Sequence, residues 1–357
     1  MIDLKDFPTT RYQGSKRKML PFLAEVFEEL DFDTVLDACG GSGSVSFLLK
    51  KMGKVVTYND KLHFNYLIGK ALIENNTFKL TDQDIANLNS FQDYVTYQNF
   101  ITETFEGVYY LVEENQWLDR MANNIFQMNH YQPQVLQYKK SLAYYALFQA
   151  SMIKRPFNLF HRNNLQIRTN DVSRNFGNKT TWEKSFDDHF ITFAKEVNRM
   201  VFDNGHQCRS TNESILDINP VGYDLVYIDP PYLRKNGSNE SSQYLRCYHF
   251  LEGMSRYNEW QDLIDFDSIN LRFRDLQLEN DFKKETIYDR FDEIISRFRN
   301  STIVLSYEKG GIPSIDFIIK TMRKYDKTVS TRSLHYKYAL NKNADENKNR
   351  EVVIIGV

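Results

Sequence analysis

The chain is poor in the features that mark several common protein classes. Its three cysteines, Cys39, Cys208 and Cys247, form no Cys-x-x-Cys pair and no metal-ligand spacing, so neither a disulfide framework nor a metal site is expected. No apolar run approaches the length that spans a bilayer, and Met1-Ile2-Asp3-Leu4-Lys5-Asp6 lacks the charged and apolar regions of a signal peptide. A cytoplasmic protein without a membrane partner is the expectation. No strong excess of one charge sign exists either: the formal net charge is -2, so any nucleic-acid contact must use a local basic patch on an otherwise acidic body. No internal repeat is visible.

What is present begins with length. The 357 residues suffice for one large domain, or for one domain with a substantial insertion. Aromatic residues are plentiful, with 22 Tyr and 26 Phe, enough to fill a core and to leave stacking platforms over.

The most informative stretch is Asp224-Leu225-Val226-Tyr227-Ile228-Asp229-Pro230-Pro231-Tyr232. An apolar, β-branched run of strand length stops at an acid, and two prolines then forbid both continued pairing and an immediate helix. In an open parallel sheet the C-terminal end of a strand is where ligands bind. The Asp229 carboxylate and the fixed Pro230 carbonyl offer two acceptors, and Pro231 leads to the flat face of Tyr232. Such a site suits a planar ring bearing an exocyclic amine.

Upstream, Thr34-Val35-Leu36-Asp37 reads as a buried strand, followed by the turn Ala38 to Ser44 with Gly40, Gly41 and Gly43, and a helix from Val45 to Met52. A second strand, Lys54 to Tyr58, ends at Asn59-Asp60. Asp60 follows Asp37 by 23 residues, near the spacing at which nucleotide-binding folds place an acid on a ribose. A NAD-binding unit is the structural competitor, but Ser46 stands where Gly-x-Gly-x-x-Gly requires its last glycine. Before these, Arg11 to Lys16 form a turn around Gly14 ahead of a helix with apolar positions from Met19 to Leu30, Pro21 falling in its first turn. Such a turn presents N–H groups to an anion, with Lys16 adding charge.

Residues 62 to about 200 break the strand–helix alternation and carry helical patterns, including Ser141 to Ile153 and Asp187 to Phe202. Within them, residues 154–184 hold seven Lys/Arg against two acids, a local charge of +5, interleaved with six asparagines. Lys154, Arg155, Arg162, Arg168, Arg174 and Lys179 are the candidate phosphate and base contacts; a solvated basic loop is the competing reading. After Tyr232, Arg234 to Gln243 is polar and rich in Gly, Ser and Asn, a segment expected to be mobile until something orders it: either a loop that closes over a bound base or simply a floppy one. Tyr248 to Trp260 is helical in pattern. Ile303 to Tyr307 is then a strand, Ser314 to Tyr325 a helix, and Val352 to Ile355 a further strand.

Asp-Pro-Pro-Tyr after an apolar strand, preceded by the Asp37 to Gly43 turn and by Tyr12-Gln13-Gly14-Ser15-Lys16, resembles the Dam-like branch of the DNA adenine-N6 methyltransferases, in which the cofactor motifs come first. The resemblance implies a doubly wound α/β methyltransferase sheet, Rossmann-like and mostly parallel, built from residues 1–61 and 201–357, with residues 62–200 as a largely helical inserted target-recognition region. It implies S-adenosylmethionine as cofactor, held by Tyr12, Gly14, Lys16, Asp37, Gly41, Gly43, Asp60 and Glu213. Cys39 departs from the family's usual phenylalanine. Asp229, Pro230, Pro231 and Tyr232 are implied as the catalytic set acting on a flipped-out adenine of double-stranded DNA, with a cognate restriction endonuclease as a further partner. Leu305-Ser306-Tyr307 resembles a later motif near the base pocket. Cytosine-N4 and protein-glutamine methylation are disfavoured by Asp229; a cytosine-C5 enzyme lacks its Pro-Cys nucleophile here; and a DNA-binding module without methyl transfer stands as the non-enzymatic alternative.

Overall fold

The computed structural model of the chain describes residues 3–9, 11–170, 179–234, 244–274, 281–335 and 350–357. Among the described residues nine strands form: β1 Thr34–Asp37, β2 Val55–Asn59, β3 Arg209–Thr211, β4 Leu225–Ile228, β5 Leu233–Arg234, β6 Thr302–Glu308, β7 Gly311–Ile312, β8 Val329–His335 and β9 Arg350–Gly356. Seven of them make one sheet in the order β3-β2-β1-β4-β6-β9-β8. The first five are mutually parallel, while β9 runs antiparallel between β6 and β8. The order reverses beside β1, so the carboxyl ends of β1, β2 and β4 open a crevice at the switch point.

Alternation along the strands gives each face its own core. Val35, Leu225, Tyr227, Val304 and Val353 point to one side; Leu36, Val226, Ile228, Ile303, Leu305 and Ile354 point to the other. Helices Ile287–Arg297 and Ile315–Lys324 cover the second face. The first is covered by Leu20–Glu28, Ser44–Lys51 and a thick helical layer supplied by the chain between β2 and β3. The longest of these helices, Pro133–Ile153, starts two turns before the apolar pattern that announces it, because proline at its first turn sets the entry. It packs along Phe186–Met200.

Helix Tyr244–Ser255 follows β5 in the chain but packs into this same layer: the Glu252 carboxylate accepts from the amides of His63 and Phe64, and the Tyr257 hydroxyl donates to Asp119. The short antiparallel pair of β5 with β7 fixes the chain just beyond Tyr232. Residues 235–243, which carry most of the expected mobile segment, lie outside the described residues, as does Arg174. No helix among the described residues is long and apolar enough to cross a membrane.

Candidate active site

A cavity of about 390 Å3 lies at the switch point, and Tyr12, Gly14, Lys16, Asp37, Gly41, Asp60, Glu213, Asp229 and Pro231 all line it. Segments from distant parts of the sequence therefore converge on one cavity; Pro230 and Tyr232 are not on its wall. Gly43 is not on the wall itself; its left-handed backbone (φ +73°) caps helix Ser44–Lys51 and turns the chain behind it. Gly41 is also left-handed (φ +50°), and a Cβ there would press on the Tyr12 ring at 3.1 Å. Only glycine meets both demands.

Two acids hold the floor. Asp37 ends β1 and is buried; Ser46 donates to its Oδ2 at 2.6 Å, while Oδ1 has no partner. Burial, opposed by the Ser46 hydrogen bond and reinforced by Asp229 and Asp60, pushes the Asp37 carboxyl up to about 7. Asp60, just past β2, receives the Gly41 amide on Oδ2 and the Leu62 amide on Oδ1, both at 2.9 Å. Burial raises it too, against those two amides. Asp60 thus pins the glycine turn as well as facing the cavity.

Asp229 lies at the end of β4 with 18% of its side chain exposed. Lys16 Nζ sits 2.8 Å from its Oδ2, 3.8 Å from Glu351 of β9 and 3.3 Å from the Gly14 carbonyl, which it donates to. Burial opposes the lysine's charge, but Asp229 and Glu351 more than offset it and hold Lys16 above its ordinary range. The expected cofactor lysine is therefore a partner of the acid at the strand end. Tyr232 donates its hydroxyl to Asp229 Oδ1 at 2.8 Å, and its ring meets Tyr307 edge-on, centroids 5.6 Å apart. Pro230 is buried beneath. Both Asp229 oxygens are oriented, and each keeps a lone pair for a further donor.

On the opposite wall Tyr12 stacks on Tyr248 at 4.7 Å and on Tyr244 at 5.5 Å, and its hydroxyl accepts from Asn65. Glu213 is exposed on the rim, its backbone gripped on both sides by the Asn59 amide. Sequence reasoning missed Tyr244, Arg246, Phe273, Arg274 and the Asp281–Lys283 turn, all on the cavity wall. Lys61 and Ser214 hold Asp281 there at 2.8 and 2.9 Å. The one available signal was Lys61, a cation directly after Asp60.

The basic run behaves differently from its composition. Lys154 is buried, ion-paired to Glu114 at 2.7 Å and bonded to the Lys184 carbonyl. Arg155 is buried, donates to the carbonyls of Tyr109, Leu159, Arg162 and Asn163, and lies over the Tyr109 ring. Arg168 grips both Glu114 oxygens at 2.9 and 2.7 Å. These three face inward, leaving no donors aimed at a phosphate. Arg162 is exposed, and Lys179 opens the helix Lys179–Glu183.

A parallel sheet with an antiparallel β9 beside its far edge, and three strand-end acids around one switch-point cavity, defines an α/β methyltransferase. The chain belongs to the D12 class N6 adenine-specific DNA methyltransferases, whose family model matches residues 12–266. It is 25% identical over 356 residues to the Type II methyltransferase M2.HphI of Haemophilus parahaemolyticus, covering 98% of this chain and 97% of that protein. It is also 25% identical over 353 residues to the modification methylase StsI of Streptococcus sanguinis, and 24% identical over 332 residues to the Type II methyltransferase M.FokI of Planomicrobium okeanokoites. In those two the matched region is 50% and 47% of the relative's length, so this chain spans about half of each.

Proposed function

We propose that this chain is a site-specific enzyme transferring a methyl group from S-adenosylmethionine to N6 of an adenine flipped out of duplex DNA, serving as the modification arm of a restriction–modification system. The observation that carries the reading is the Lys16–Asp229–Tyr232 constellation, whose Lys16 and Asp229 line the same cavity as Asp37, Gly41 and Asp60. The restriction link, with a cognate endonuclease as partner, rests on the Type II and modification methylases among the relatives.

The cavity fits that cofactor. The unpartnered Asp37 Oδ1 is an acceptor for an ammonium group, Asp60 for ribose hydroxyls and Glu213 for an adenine amine, while Gly41 lets the backbone approach closely. When bound, the cofactor supplies an electrophilic methyl on a sulfonium. The protein does the rest. Adenine N6 is a poor nucleophile because its lone pair is delocalised into the ring. Hydrogen bonds from its two hydrogens to Asp229 and to the Pro230 carbonyl draw the nitrogen towards tetrahedral geometry and aim the lone pair. Lys16 holds the Asp229 carboxylate in place through its ion pair, Tyr232 stacks on the base, and the surplus proton leaves through Asp229 to water. We also propose the division into residues 1–61 with 201–357 for catalysis and 62–200 for target recognition, bridged by the packing of Tyr244–Ser255 against the helical layer.

The test is transfer of labelled methyl from S-adenosylmethionine to mixed-sequence duplex DNA, with nucleoside mass spectrometry. N6-methyladenine is expected, and Asp229→Asn should lower turnover by about 10^2 to 10^3-fold while S-adenosylhomocysteine still binds. Undiminished turnover in that variant removes Asp229 from the chemistry. N4-methylcytosine as product replaces the adenine pocket with a cytosine one.

A further inference from the structure

Two loops, one bonded to the helix that carries part of the cavity wall and the other leading directly into that wall, share an unusual construction. The first, residues 156–164, carries Phe157 with 63% of its surface exposed, on a backbone held left-handed at Phe157 (φ +63°), Asn158 (φ +59°) and Asn164 (φ +49°). The second is the turn between Ile264 and Phe273, which pair across its base; near its tip Ile269 is 85% exposed, and Leu271 is left-handed (φ +50°). Left-handed geometry at bulky residues such as Phe and Leu is costly and persists only where the surroundings impose it.

Here the surroundings are rigid. From below, the Arg155 guanidinium gathers the Leu159, Arg162 and Asn163 carbonyls of the first loop. The Tyr109 hydroxyl lies 2.7 Å from both the Phe160 carbonyl of the first loop and the Asn270 carbonyl of the second. His249 Nε2 approaches the same hydroxyl at 2.8 Å and, since that hydroxyl gives its one proton to a carbonyl, serves as the N–H donor. Both loops are also tied to the cavity wall. The Phe160 amide donates to the Cys247 carbonyl, one residue past Arg246, and the second loop ends in Phe273 and Arg274.

Exposed apolar side chains scattered singly are ordinary. Two of them, held out from strained loops that are joined at one buried hydroxyl and tied to the elements of the cavity wall, are not. We propose that Phe157 and Ile269 are paired apolar wedges that enter the base stack of duplex DNA beside the target adenine and hold the gap open while the base is extruded. Phe and Ile are suited to this because a wedge must replace lost stacking without hydrogen-bonding to bases, and a rigid mount spares the cost of ordering it. Arg162, exposed on the first loop, is placed to meet a phosphate. The inference rests on the proposed action on a flipped adenine.

The experiment compares Phe157→Ala/Ile269→Ser with the wild type on two duplexes containing the site mapped from the wild type's own products. One is fully paired; the other has an abasic site opposite the target adenine. The variant should lose roughly tenfold or more of its turnover on the paired duplex and recover most of it where the adenine is already loosened, because unstacking is then largely done. Phe157→Trp should behave as the wild type. Equal losses on both duplexes, or no loss on either, overturn the wedge. Binding of S-adenosylhomocysteine, read by calorimetry, reports whether the cavity is intact; if it is lost, the single variants Phe157→Ala and Ile269→Ser decide by the same ratio. Absence of N6-methyladenine with the wild type on either duplex instead removes the reading on which the wedge depends, and the wedge with it.

Discussion

Two parts of this molecule concentrate charge, and they use it in opposite ways. At the carboxyl ends of β1, β2 and β4, Asp37, Asp60 and Asp229 line one cavity; Asp229 meets Lys16, and Asp37 keeps an oxygen with no partner. In the basic run, Lys154, Arg155 and Arg168 converge on Glu114 and on backbone carbonyls, and almost every donor is used. A cavity that awaits a polar ligand keeps unsatisfied groups at a cost in stability, whereas a structural charge survives burial by being satisfied within the chain. Formal charge is the same kind of quantity in both places; what differs is where the hydrogen bonds go.

The sharpest test of this contrast is Arg155→Ala. It removes the donors of four carbonyls, one of them buried and three part-buried, together with a buried side chain over the Tyr109 ring, and should cost about 2 to 4 kcal/mol, read from the denaturant midpoint. A variant of unchanged stability that loses DNA affinity would break the comparison. Asp37→Asn probes the other side. Because the folded carboxyl is raised to about 7, above the roughly 4 of an unfolded chain, the empty protein holds an extra proton between those values. Its stability therefore falls as pH rises through that window, by up to about 1.4 kcal/mol per pH unit from this group. The asparagine variant should lose that slope, measured as Tm from pH 5 to 7.5, while the similarly raised Glu252 leaves a remainder. The smallest effect belongs to Arg162→Ala: stability within about 0.5 kcal/mol of wild type, and a salt slope of DNA binding reduced by about 1. An unchanged slope moves the phosphate contact to another residue.

Much of the site was legible in the sequence because it is made of backbone demands that only a few residues meet. Thr34–Asp37 and Leu225–Ile228 are strands that stop at acids, and glycines or prolines follow because the turns there admit little else. The rest was hidden for identifiable reasons. β3 is Arg-Ser-Thr and carries no apolar signal; it exists because β2 offers an open edge. β8 lies at the sheet's margin, where exposed polar residues are tolerated. Tyr244 and Asp281 reach the cavity through a ring stack and an ion pair with residues far away in sequence, which no local pattern records. Composition counted the charges of residues 154–168 correctly, but it carries no direction, so Arg155 read as an outward contact when it braces a loop from within.

The position of β9 bears on how the protein is made. Residues 350–356 pair with β6 on one side and β8 on the other, and they bring Glu351 to within 3.8 Å of Lys16. A growing polypeptide that has emerged from the ribosome only as far as residue 335 already contains its glycine turn and the acid that follows β4, but β6 still has a bare edge. Synthesis must run past residue 356 before that edge is sealed, so chaperone protection matters most in this last interval, and a ribosome stalled there leaves an aggregation-prone intermediate.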